Sequence, residues 1–179
     1  IAAFAPGPGD YVLVTRLTDG SSVQVAEKYI TPRIIEKING HFKNGLPLVL
    51  LLCTGEFPGF DEGGLLIRPQ RLLFNAVKAV GEGLRLGVLI PSPDQASQSQ
   101  KRWGELSAQV KVVPSSPYVD GLESAKRGAR ELGEWGADIS ILDCIGYTME
   151  MQEAVRTITG KPAILGRGIA ARTVKELIG

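Results

Sequence analysis

The sequence predicts an α/β protein built as two similar lobes, with mostly parallel sheets flanked by helices, and two observations predict it. From Leu46 onward, short and nearly continuous apolar runs alternate with amphipathic helical stretches. Runs of that kind fit strands buried on both faces, and helical connections between them require parallel neighbours. Two of the runs also end alike, in Val49-Leu-Leu-Leu-Cys-Thr-Gly55 and Ile139-Ser-Ile-Leu-Asp-Cys-Ile-Gly146, each with a Cys followed two residues later by Gly. This likeness points to two related halves meeting near Val80 to Leu84.

Taken in order, Ala5-Pro-Gly-Pro-Gly9 cannot continue a helix or a central strand, so the chain opens in a loop. Two β-prone stretches follow, from Tyr11 to Leu17 and from Ser22 to Ala26. Asp19-Gly20 between them tolerates positive φ, and a hairpin is expected. Pro32 suits a first helical turn, and Ile34, Ile35, Ile38 and Phe42 recur at helical spacing before Gly45. That pattern predicts a helix from Pro32 to Lys43. His41, near its end, reads as a solvated cation at a helix C-terminus. Apolar strands are then expected over Leu46–Cys53, Leu84–Ile90, Val110–Val113, Ile139–Asp143 and Pro162–Leu165. The helices between and after them are expected over Arg68–Val80, Asp94–Ser107, Leu122–Trp135, Met149–Thr159 and Ala170–Ile178.

Composition narrows the function classes. Among 179 residues, 20 Lys and Arg against 19 Asp and Glu leave a net charge of +1, which gives no electrostatic pull toward nucleic acid or an anionic membrane. With 44% hydrophobic and 22% charged residues the chain can bury a core, excluding disordered and collagen-like classes. The longest apolar run, Leu46–Cys53, falls far short of the roughly 18 residues that cross a bilayer. Two Cys and one His cannot supply a four-ligand zinc site or a disulfide scaffold, so a reducing cytoplasm is the expected location and no metal is expected. The chain starts at Ile1 without a charged leader, which is the expected appearance of a start inside a longer product.

Strand ends in α/β sheets line the crevice where ligands bind. Cys53 and Cys144 are therefore the candidate catalytic pair. A thiol acts only as thiolate, and its free pKa of about 8.5 leaves it a few per cent ionised at neutral pH. Backbone N–H groups after each Cys, and a helix N-terminus beyond, would lower that value toward about 7. Gly55 and Gly146 would let the backbone approach a carboxylate, with Thr54 and Thr148 adding hydroxyls and Ile145 and Tyr147 lying alongside. One thiolate would remove a proton from carbon while the opposing thiol delivers one to the other face, without a cofactor. The bland alternative is equally open: Cys is among the most buried residue types, and a Cys ending an apolar strand is often structural.

Other candidates carry double readings. Ser92 could bind a substrate oxygen or cap the helix entered at Pro93. Arg68, Arg71 and Arg167 could clamp a carboxylate or lie exposed. The loop Glu56–Gly64 could close over a ligand or be plain surface. Asp143 is expected on the opposite strand face from Cys144. A homodimer suits a protein of this size, though no residue specifies the interface.

At the two Cys segments the sequence resembles the aspartate/glutamate racemase-like superfamily, and within it the AroM family. The resemblance extends over Ala5–Asp10, the strand into Leu-Leu-Cys53-Thr-Gly, Arg68–Leu73, Leu86–Pro91, Gln100–Trp103, Gly136–Tyr147 and Ile169–Arg172. It implies two α/β lobes, over 1–82 and 83–167, with a small carboxylate bound between them. It also implies a final helix, 168–179, packing back on the first lobe, and a strand and helix preceding this start in longer relatives. The activity implied is a cofactor-independent racemase or isomerase, or a related decarboxylase, using Cys53 and Cys144. The racemases carry Cys-Asn-Thr or Cys-Thr-His motifs where this chain has Cys53-Thr-Gly and Cys144-Ile-Gly. Both thiols are kept and the Asn and His are not. A carboxylate-binding protein without turnover is the implied alternative, and a thiol-pair redox sensor a third.

Overall fold

In the computed structural model, which describes residues 2–59, 63–81 and 83–179, the chain begins with the expected hairpin. Strands β1 (Val12–Arg16) and β2 (Ser22–Ala26) pair antiparallel, and the reversal places Gly20 at φ +88° with its N–H donating to the Leu17 carbonyl. Helix α1 (Glu27–Lys43) follows without a gap. It starts five residues before Pro32, so the expected start at Pro32 is corrected: this proline sits inside the helix. Its ring removes the bond that the Lys28 carbonyl would receive, and the loss is tolerable because Pro32 is exposed and that carbonyl can turn to water.

Strands β3 (Leu48–Leu50) and β4 (Leu65–Ile67) form a two-stranded parallel sheet, followed by helix α2 (Pro69–Val80) with its proline in the first turn. β4 was not expected from the sequence, and β3 is shorter than the apolar run that suggested it. Residues 51–59 are irregular, so Cys53 lies beyond its strand, with no helix directly after it.

The second sheet has four parallel strands in the order β6-β5-β7-β8: β5 (Leu86–Ile90), β6 (Val110–Pro114), β7 (Ile139–Leu142) and β8 (Ala163–Leu165). Helices α3 (Ala96–Gly104), α4 (Gly121–Trp135), α5 (Met149–Thr159) and α6 (Gly166–Ile178) connect or follow them. The parallel α/β architecture is as expected, with helices covering both faces. Among the described residues the two parallel sheets are unequal, two strands against four, so the sequence repeat is not matched by an equal strand count. Glu82, at the expected lobe boundary, lies outside the described residues.

Alternation along the strands builds two cores. Leu86, Val88, Ile90, Ile139 and Ile141 face Leu73 and Val77 of α2 and Trp103 of α3. Leu89 and Leu142 face Ala125, Ala129 and Leu132 of α4 and Met151 and Val155 of α5. Each fully buried aliphatic side chain contributes roughly 1.5–3 kcal/mol. Because α2 belongs to the first half of the chain yet packs on the larger sheet, the first core also welds the halves together. Helix α6 packs against α2.

Gly87, inside β5, is where this packing is tightest: a Cβ there would lie 2.9 Å from the Ala137 Cβ and from both Leu132 methyls. Gly87→Ala is expected to destabilise the fold by about 1–3 kcal/mol through overpacking, read as a lower urea midpoint with an unchanged slope.

Candidate functional site

Both thiols reach one cavity of about 410 Å³, lined by Cys53, Thr54, Gly55, Asp143, Cys144 and Ile145. Its remaining wall is largely apolar: Leu13, Val14, Val23 and Val25 of the hairpin, Ile30 and Ile34 of α1, and Phe4, Phe57 and Tyr118. The hairpin is pinned in place by α3 and the turn before it. The Val12 N–H donates to Gln98 Oε1 at 2.9 Å, and the Val12 carbonyl accepts from Gln95 and Gln98 at 3.0 and 2.9 Å.

Each sulfur accepts the N–H of the glycine two residues on, Gly55 for Cys53 and Gly146 for Cys144, both at 3.3 Å. The shared Cys-x-Gly spacing thus has one geometric outcome in two places. The space a Cβ would take at these glycines is filled by protein: Leu13 Cδ2 for Gly55, and the Tyr118 ring at 2.6 Å for Gly146. Both cysteines are free.

The two Cys loops are joined by a buried ion pair. Arg102 of α3 donates from Nη1 to the Thr54 carbonyl at 3.1 Å and from Nη2 to Asp143 Oδ2, which also accepts the Trp103 indole N–H at 2.9 Å. The Arg102 and Asp143 side chains are 6% and 3% exposed. One guanidinium therefore grips the residue after Cys53 and the residue before Cys144. Asp143 turns toward Arg102 and Trp103 of α3, on the side of Ile139 and Ile141, whereas Cys144 packs with Leu89 and Leu142, so the two take opposite faces as expected although both border the cavity.

The expected lowering of the thiol pKa values is also corrected. Burial raises Cys53, against the opposing pull of the Gly55 N–H and Arg102. Burial pushes Cys144 up to about 11, with the Tyr118 hydroxyl and the Gly146 N–H pulling down, Cys53 adding to the rise and Arg167 opposing it. The cavity is drier than a strand-end crevice suggests, and desolvation of the anion outweighs its hydrogen bonds.

Other candidates resolve differently. Tyr147 is fully buried and donates to the Ser115 carbonyl, so it is a core residue rather than a ligand contact. Thr148 caps α5 by accepting the Met151 N–H at 3.2 Å. Ser92 accepts the Asp94 N–H at 3.3 Å and the Gln24 amide at 2.9 Å, which makes it a cap that also holds β2. None of these three lines the cavity. Arg68 is buried beside α6 rather than aimed at the thiols, and Arg71 is exposed. Arg167 is exposed but donates from Nε to the Ile145 carbonyl at 2.8 Å, steadying the second Cys loop. In the loop 56–64, Phe57 reaches the cavity, while Phe60, Asp61 and Glu62 lie outside the described residues.

Sequence reasoning missed Arg102 and Tyr118. The apolar-to-polar spacing of α3 marks Arg102 only as a helical residue, and Tyr118 sits in a loop without a motif. Its hydroxyl lies 3.4 Å from Cys144 Sγ, a hydrogen bond in which either atom can donate.

The parallel sheets and their flanking helices define an α/β protein whose fold is shared with several solved racemases. The chain is similar in structure to a glutamate racemase from Bacillus anthracis (TM-score 0.61, 13% identity, 86% of this chain and 65% of that one). It is likewise similar to a glutamate racemase from Francisella tularensis in complex with D-glutamate (0.56, 14%, 91% and 67%). A third similar structure is an allantoin racemase from Klebsiella pneumoniae (0.54, 19%, 81% and 64%). The chain spans about two thirds of the length of these structures, and at such identities the likeness is one of fold. No curated protein matches the sequence. The model of the AroM protein family matches residues 1–178, and the chain belongs to that family. Among the described residues no helix is long and apolar enough to cross a membrane.

Two outcomes follow from the site. Arg102→Met strands a buried carboxylate and is expected to cost about 3–5 kcal/mol in urea unfolding, with much of it recovered in the Arg102→Met/Asp143→Leu double variant. Cys144, raised from 9.0 to about 11, favours the folded state fully below pH 9, and its contribution drains away as pH rises toward about 11. Unfolding midpoints should fall across that window, and Cys144→Ser should lack this part of the fall.

Proposed function

We propose that this AroM-family protein is a cofactor-independent racemase or isomerase, or a related decarboxylase, that moves a proton at the carbon beside a small carboxylate. The observation that carries the reading is the arrival of both thiols at one cavity, each with its sulfur on a backbone N–H. In the racemase or isomerase cycle one cysteine, as thiolate, takes the proton from carbon and becomes a thiol. The other gives its S–H proton to the resulting carbanion and becomes the thiolate, so charge and protons balance over the cycle. The Gly55 and Gly146 N–H groups each stabilise the anionic form of their sulfur, partly offsetting the cost of burial. Arg102 and Asp143 keep the two loops in register, which is a positioning role.

A second reading, a carboxylate-binding or regulatory protein without turnover, is favoured by the residues beside the thiols. Thr54-Gly55 and Ile145-Gly146 supply neither the Asn nor the His that accompany Cys in the racemase motifs, and burial keeps both thiols neutral at rest.

A panel of chiral α-substituted carboxylic acids incubated with the protein in deuterated water discriminates the two. The catalytic reading expects wash-in of deuterium at the α-carbon of at least one acid, abolished by Cys53→Ser and by Cys144→Ser separately. Full exchange in both variants would remove the two-cysteine mechanism. Saturable binding with no exchange in the unaltered protein would select the second reading.

A further inference from the structure

We infer that Tyr118 is a third working residue of this site, a hydrogen-bond donor that holds Cys144 as an anion when the thiol gives up its proton. Its catalytic consequence rests on the proton-transfer reading above, but the hydrogen bond acts on Cys144 whatever the substrate.

Three observations converge on it. Tyr118 lies in the loop after β6, at the carboxyl edge of the four-stranded sheet, and lines the same cavity as both thiols. Its hydroxyl is 3.4 Å from Cys144 Sγ, opposite a sulfur that already accepts the Gly146 N–H. Its ring occupies the space beside Gly146 that any side chain there would fill, with a Cβ only 2.6 Å from the phenolic carbon and oxygen. The glycine of the second Cys-x-Gly turn therefore serves the tyrosine as well as the turn.

The groups that face the Cys144 sulfur come from every side of the cavity. Cys53 approaches from the first Cys loop, Arg167 from α6 and Tyr147 from its own segment, while Asp143 borders the same cavity with its carboxylate turned to α3. Asp143 is committed to Arg102 and Trp103, and Tyr147 to the Ser115 carbonyl. Arg167 is exposed and hydrogen-bonded to the Ile145 carbonyl, so water screens its charge. This leaves Tyr118 and the Gly146 N–H as the direct donors to a Cys144 anion. Burial raises the Tyr118 phenol above its ordinary value, so it keeps its proton and donates a hydrogen bond rather than exchanging the proton with sulfur. No bond is made or broken by Tyr118 itself: the proton leaves Cys144 for the carbon, and the phenolic O–H turns to the sulfur left behind.

The test uses the reaction of Cys144 with iodoacetamide, followed by mass spectrometry across pH in the Cys53→Ser background, where one thiol remains. Loss of a hydrogen bond to a charged group lowers the thiolate fraction by about tenfold or more. Tyr118→Phe is therefore expected to slow alkylation by about that factor at each pH below the titration, with the two rates converging at higher pH where both thiols are ionised. Tyr118→Met, which keeps an apolar side chain in the wall but has no hydroxyl, should reproduce the loss and keeps the question decidable if Tyr118→Phe does not fold. Alkylation that is unchanged or faster at every pH overturns the assignment, as does a slowing by the same ratio at all pH values, which is a steric effect on access. If neither cysteine variant alters deuterium exchange, the proton-transfer reading fails, and the alkylation profile still decides the Tyr118 bond.

Discussion

The site depends on a single buried contact between charges, Arg102 on α3 with Asp143 just past β7. Arg102 also holds the Thr54 carbonyl, and Asp143 also holds the Trp103 indole, so three segments meet at one pair: the first Cys loop, the second, and α3 through two consecutive residues. A buried ion pair is a weak source of net stability, since desolvation consumes most of the attraction. Its value here is geometric. Neither partner can move alone without stranding a charge, and the relative placement of the two sulfurs is fixed by that penalty. Trp103, fully buried against Phe74 of α2 with ring centroids 5.8 Å apart, transmits the same constraint into the core that joins the halves.

Dryness is the second constraint, and it acts in two directions. Burial disfavours a thiolate at either cysteine, so the resting pair is neutral. The same burial makes any thiolate that does form a stronger base toward carbon, because basicity rises with the pKa of the conjugate acid. A proton beside a carboxylate is weakly acidic, and a base held near neutrality would be poorly matched to it. The donors around each sulfur then matter as partial compensation: enough to make the anion accessible, not enough to make it the resting form.

Much of this was legible in the sequence because the signals were local. The Asp19-Gly20 reversal, the buried run Leu86–Ile90 and the periodicity of Met149–Thr159 each specify an element from its own residues. The paired Cys-x-Gly segments announced the thiols for the same reason. What escaped depends on distant partners. Pro32 reads as a helix start, yet α1 begins at Glu27 because β2 feeds directly into it. Tyr147 and Ser92 read as crevice residues, but Ser115 and Gln24, remote in sequence, claim their hydroxyls. Arg102 and Tyr118 carry no motif, and their importance arises only when α3 and the β6 loop are folded against the two cysteines. The thiol pKa values went the other way from expectation because hydrogen-bond donors are visible in a motif, whereas the depth of burial is a property of the whole fold.

The hairpin has one further consequence. Val12 is tied to Gln95 and Gln98 through its backbone alone, while Leu13, Val23 and Val25, on one face of the hairpin, line the hollow with side chains that carry no polar duty. Anchorage and lining are thus assigned to different atoms of the same ribbon. Its apolar residues are free to drift in size over evolutionary time, reshaping what fits beside the sulfurs, without disturbing the attachment of the ribbon or the two cysteines it shelters.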